Sequence, residues 1–127
     1  MIVAIGALLI SGCSSPVAVQ APQRSAECDD VLTDAPIRLL GELQRETTPS
    51  DAAAIAWGDP PIVLTCGERS AIAPDAQVIE VNGIDWVVQS SNSGTVFTTY
   101  QSRPTVQLRV PATYRPEIDA LSELTLE

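Results

Sequence analysis

Residues 78–88 read Val-Ile-Glu-Val-Asn-Gly-Ile-Asp-Trp-Val-Val, and few folds accommodate such a run. Two apolar-polar alternations flank Asn82-Gly83, the dipeptide that most readily takes the positive φ values of a two-residue type I′ turn. Counting outward from the turn, Val81 faces Ile84, Glu80 faces Asp85 and Ile79 faces Trp86. Ile79, Val81, Ile84, Trp86 and Val88 then line one face. A lone hairpin is marginal in water, so this face predicts a larger antiparallel sheet with a core on one side.

The rest of the chain supplies strands in series. Ala52 to Trp57, Ile62 to Cys66, Thr95 to Tyr100 and Thr105 to Val110 read as strands, the last with Val106, Leu108 and Val110 inward. Ile37 to Glu46, apolar then mixed, fits strand or helix and is read as one further strand. Gly58-Asp59-Pro60-Pro61 is a turn, with Asp59 placed to bond its own backbone. Thr47 to Asp51 is a loop, and Ser90 to Gly94 a polar turn. Ala26 to Asp34 reads as a short helix, with Asp29 and Asp30 near its positive end and Cys28, Val31 and Leu32 on one face. Pro111 stops the sheet. Pro116 suits the first turn of a C-terminal helix with Ile118, Leu121 and Leu124/Thr125 as its stripe and Tyr114 packed at its start. The fold class is α+β: an antiparallel sheet built from hairpins, with a short N-terminal helix and a C-terminal helix on one face.

The other end sets an address. Met1 to Ile10 is apolar, and Ile10-Ser11-Gly12-Cys13 followed by Ser14-Ser15-Pro16 has the form of a bacterial lipobox, in which Cys13 takes a thioether-linked diacylglycerol and becomes the mature N-terminus. Residues 1–12 are then a lipoprotein signal. Its basic start is missing, since the first Lys or Arg is Arg24, and a true start upstream is expected. The alternative, a buried strand or short inserted stub, also fits ten apolar residues; a spanning helix needs about 20. Residues 13–25, rich in Ser, Pro, Gln and Ala, read as the lipidated cysteine and a flexible tether. Residues 26–127 form a single globular domain, of a length that supports one core. The expected location is the outer, extracytoplasmic face of the cell membrane.

With Cys13 assigned, Cys28 and Cys66 remain. An even pair in an oxidising compartment reads as a disulfide; two buried thiols are the alternative. The net charge is −9, which excludes nucleic acid as a partner and opposes adsorption to anionic lipid, so the anchor and not the charge would hold the protein there.

Several segments in order resemble a domain-of-unknown-function family of short actinobacterial secreted or membrane-anchored lipoproteins: Trp57-Gly58-Asp59-Pro60-Pro61-Ile62-Val63-Leu64, Cys66-Gly67, Val81-Asn82-Gly83-Ile84-Asp85-Trp86, Phe97-Thr98-Thr99, then Val110-Pro111 and Tyr114. The likeness spans roughly residues 26–127. It implies an envelope address and an early cysteine paired with Cys66. It brings no activity, cofactor or catalytic residue.

Chemistry is limited by the absence of His, the commonest general base, which removes Ser-His-Asp and Cys-His catalysis and leaves a zinc site short of ligands. Nucleotide and hydrolase-elbow motifs are missing too. Carboxylates remain. Glu80 and Asp85, opposite each other, are either a cation or acid-pair site or a solvated outer face where screening weakens repulsion. Asp59 is a turn residue before it is a catalyst. Trp57 and Trp86 are either core or sugar platforms, and Trp86 falls on the core face. These readings leave no catalytic residue, metal site or cofactor. They describe a lipid-anchored envelope protein, a non-catalytic binding or accessory module for a protein partner or wall component. The alternative is a carboxylate-dependent hydrolase of envelope polymers, with Asp59, Glu80 and Asp85 as its surface candidates.

Overall fold

Asn82 and Gly83 take φ values of 54° and 84° and turn β7 (Gln77–Val81) directly into β8 (Ile84–Ser91). The register pairs Val81 with Ile84, Glu80 with Asp85 and Ile79 with Trp86, as the alternation around the turn requires. The computed structural model describes residues 15–68, 75–124 and 126. The apolar run and Cys13 lie outside the described residues, as does Thr125.

Around this hairpin the described chain runs β1 (Val17–Ala18), α1 (Ala26–Thr33), β2 (Arg38–Leu39), β3 (Glu42–Arg45), β4 (Thr47–Thr48), β5 (Ala54–Trp57) and β6 (Ile62–Cys66). After β7 and β8 come β9 (Gly94–Thr99), β10 (Val106–Pro111), a 3-10 turn at Ala112–Tyr114, and α2 (Asp119–Ser122). Eight strands form one sheet in the order β2-β3-β5-β6-β10-β9-β8-β7, antiparallel throughout. The sheet is thus two meanders, one from each half of the chain, joined where β6 meets β10. The class is α+β.

The period of two sorts each strand into an inward and an outward set. Ile55 and Trp57, Ile62 and Leu64, Val106, Leu108 and Val110, Phe97, and Trp86 all enter one core, together with Cys28 and Leu32 of α1 and Ala120 and Leu121 of α2. Leu108 sits opposite Leu64 on one side and Phe97 on the other. Both Trp side chains are core residues, at 0% and 2% exposure. Trp57 keeps its indole N–H satisfied by donating to the Pro36 carbonyl at 2.8 Å, as a buried Trp must.

Cys28 and Cys66 are joined by a disulfide with a Cα–Cα distance of 5.9 Å. The bridge fixes α1 to the end of β6.

Three local readings change. The run 37–46 is not one strand. Leu40 and Gly41, at φ 51° and 82°, fold it into the β2–β3 hairpin. Leu40 is costly in that region, and its N–H is held by the Glu123 carboxylate at 2.9 Å. The C-terminal helix is a single turn, because most of the bonds from Pro116 to Leu124 close tight i to i+3 turns. It meets the core only from Ala120 onward, so Ile118 stays 44% exposed.

The third change concerns residues 14–25, whose composition reads as a tether. From Val17 onward this segment is an arm laid along the domain. β1 pairs in parallel with β4, Gln23 bridges Ala52, and the Pro22 carbonyl accepts from the Ala53 N–H at 2.7 Å. Ala18 to Gln20 lie across a cleft from Val63, Thr65 and Arg109, on the second face of the sheet. That face is partly closed: Ala56, Val87, Thr98 and Gln107 are buried there, and Gln107 donates to Thr98 Oγ1 at 3.2 Å.

Replacing Cys28 and Cys66 together by Ala is expected to lower the unfolding free energy by about 3 kcal/mol, since the bridge closes a long loop between two buried positions. Urea unfolding of the oxidised wild type and the double variant measures this. Equal midpoints would show that the bridge constrains nothing.

Candidate functional site

The β5–β6 turn is built by Gly58-Asp59-Pro60-Pro61. Gly58 has φ +72°, and a Cβ there would fall 2.7–2.9 Å from the Glu42 side chain, so the position needs glycine on two counts. Glu42 therefore packs flat on the turn. Arg45, three residues on, donates from Nη1 to the Gly58 carbonyl at 2.7 Å and from Nη2 to the Ser15 carbonyl at 2.8 Å. Tyr114 arrives from beyond β10, and its hydroxyl donates to the Pro60 carbonyl at 2.7 Å. Trp57 starts the same turn and is tied to Pro36. Residues far apart in the sequence thus converge on one corner of the sheet.

Burial is the main cause that raises the Tyr114 phenol above its ordinary value. The negative charges of Glu42 and Asp59 add to the rise, while a backbone hydrogen bond at Asp59 and the charge of Arg45 oppose it. A phenol so shifted stays neutral in the physiological range. It acts there as a hydrogen-bond donor, and it is unsuited to proton abstraction.

The sequence-derived carboxylates do not all meet. Asp59 is exposed in the β5–β6 turn, whereas Glu80 and Asp85 are exposed on the hairpin at the far edge of the sheet. Glu80 and Asp85 are direct cross-strand partners, on the solvated outer face. Among the described residues no group of three or more His, Cys, Asp or Glu is arranged to hold a metal ion.

The clefts lined by described residues include three of note. One, of about 380 Å³, lies beside the corner between the arm and β3–β4; Arg24, Gln44, Arg45, Glu46, Thr47 and Ser50 line it. A second, of about 220 Å³, separates the arm from Val63, Thr65 and Arg109, with Glu68 at its rim. A third, of about 150 Å³, is more apolar and is lined by Val31, Ile84, Thr99, Pro104, Val106 and Leu126 among others. Each of the three has at most one carboxylate in its lining, so none offers the pair that acid-base hydrolysis requires. Sequence reasoning missed Arg24, Glu42 and Arg45. Two are arginines in an acidic chain, and their meeting depends on the arm folding back.

Replacing Tyr114 by Phe is expected to cost about 0.5–1 kcal/mol near neutral pH, the net worth of one partly exposed hydrogen bond. The sign with pH follows from the raised folded-state value. The phenol's contribution is complete below about pH 10, the ordinary tyrosine value, and is lost as pH rises through its folded-state value. The stability gap between wild type and Tyr114→Phe should therefore narrow at alkaline pH. Chemical denaturation as a function of pH reads this, and a constant gap would contradict it.

A family model described as "Protein of unknown function (DUF3515)" matches residues 4–125, and the chain belongs to that family. No curated protein and no solved structure matches the chain.

Proposed function

We propose that this DUF3515 member is a lipid-anchored protein of the outer face of the cell membrane, held through Cys13, that works by contact with a protein partner or wall component and not by catalysis. The observation that carries the address is the Cys28–Cys66 disulfide. It joins the two cysteines that a lipid on Cys13 leaves over, and such bridges belong to oxidising compartments. The arm supports the same reading. Ser15 is bound to Arg45, and it stands two residues after the lipobox cysteine in the sequence.

Contact, not catalysis, is supported by how the acids are spread. Asp59 stands apart from the exposed Glu80–Asp85 pair, the Tyr114 phenol is held neutral, and the sequence has no His. The hydrolase reading would need two carboxylates across one cleft, and the three clefts described offer none.

The address is tested by metabolic labelling with a fatty-acid analogue. Wild type should be labelled and fractionate with membranes, and Cys13→Ala should be unlabelled and released; equal labelling of both would remove the anchor. The contact reading is tested on purified protein incubated with peptidoglycan fragments, wall polysaccharide and lipid-linked precursors, with products followed by mass spectrometry. No turnover is expected for wild type, Asp59→Asn, Glu80→Gln or Asp85→Asn. Glu80→Gln should stabilise the hairpin by a few tenths of a kcal/mol by relieving its like-charge pair, roughly the lower end of cross-strand pair energies. Turnover lost in one folded carboxylate variant would put the hydrolase in its place.

A further inference from the structure

We propose that the cleft between the arm and β3–β4 binds a phosphate group, with Arg24 and Arg45 as cationic donors and Thr47 and Ser50 as hydroxyl donors. The cleft holds about 380 Å³, near the lower end of ordinary ligand sites and roomy enough for a phosphate together with what carries it.

Charge is the first argument. The chain carries −9 and has seven basic residues in all, yet two of them line this one cleft against a single acid, Glu46. A locally cationic cleft on an acidic protein takes an anion in spite of the overall field, so binding there is local and not general adsorption.

The state of the two arginines is the second. Arg24 is exposed, and its guanidinium is in no hydrogen bond or ion pair among the described residues. Arg45 is fixed by its bonds to Gly58 and Ser15, while its Nε is buried without a hydrogen-bond partner. One cation is thus held in place and the other is free to close on a ligand.

Donor geometry is the third. A planar carboxylate is satisfied by one forked guanidinium. Two guanidinium groups with two hydroxyls supply more donors than a planar carboxylate can use, which suits a phosphate, whether free or esterified.

Position sets the source of the phosphate, and this part rests on the anchoring proposed above. Ser15 is bound to Arg45, and Cys13 is two residues earlier, within roughly 7 Å of extended chain. A lipid on Cys13 brings the cleft to the level of phospholipid headgroups. A free phosphate compound would offer the same chemistry.

The test uses the full chain as Cys13→Ala, so that no lipid is attached, titrated with inorganic phosphate and followed by amide chemical shifts. Saturable shifts are expected at Arg24, Thr47 and Ser50. Arg24→Gln should weaken binding about tenfold, the worth of one hydrogen bond to a charged group. Glu46→Gln should tighten it, and Arg103→Gln, outside the cleft lining, should leave it unchanged. A structural role for Arg24 would not produce opposite effects at positions 24 and 46. Vesicles of phosphatidylcholine with phosphatidylglycerol then separate the sources: competition with phosphate for the same amides assigns a headgroup, and no competition assigns a soluble compound. Absence of saturable shifts at these amides, or equal weakening by Arg24→Gln and Arg103→Gln, overturns the proposal. Failure of lipid labelling at Cys13 leaves the phosphate titration intact, so the two readings fail separately.

Discussion

The pairing of β6 with β10 is the constraint on which the sheet depends. Every other neighbour in the eight-stranded order comes from the same half of the chain, β2, β3, β5 and β6 on one side and β7 to β10 on the other. Local pairs of that kind form at modest entropic cost. The seam Val106–Cys66, Gln107–Thr65, Leu108–Leu64 and Arg109–Val63 must close a far longer loop before its contacts repay the closure. Without it the chain would be two four-stranded sheets, each with one more open edge and half of a core. Leu108, buried between Leu64 and Phe97, is where the two halves of the core become one. The disulfide reinforces this place, because Cys66 ends β6 and carries α1 on its sulfur.

The corner around the β5–β6 turn is a second product of long-range closure. Tyr114 follows β10 directly, and only the seam sets it beside the β5–β6 turn to meet Pro60. The arm is placed by the same region, through Arg45 to Ser15 and through the backbone of Pro22, Glu46 and Thr48. The phosphate cleft proposed above exists only because arm and sheet are held together there.

What the sequence displayed and what it hid follow from the range of the forces involved. The β7–β8 register was legible because Asn-Gly and the period of two are local. The inward residues of β10 were legible for the same reason. The hairpin inside 37–46 was not, since Leu40 is a poor residue for positive φ and is held by Glu123, 83 positions away. The arm was hidden because most of its bonds to the domain are between backbones, and backbone groups carry no side-chain signature. Asp59, Glu80 and Asp85 could be placed on turns and outer faces from pattern alone. The links from Arg45 to Gly58 and from Tyr114 to Pro60 could not, because a carbonyl acceptor has no residue identity to read. The burial of Val87 on the second face was likewise unreadable until the covering of that face was known.

Glu123 holds the β2–β3 turn through Leu40, and the Ser122 carbonyl accepts from the Asn82 side chain in the β7–β8 turn. Those turns belong to hairpins at opposite edges of the sheet. A few residues around α2 therefore act as a clasp across both margins, with Leu121 and Leu124 seated in the core. Proteolytic trimming that reached Leu121 would remove both of these bonds and the core contact of Leu121 and Leu124 in one event. The clasp thus ties this short segment to both hairpin turns at once, although the two lie at opposite ends of the strand order.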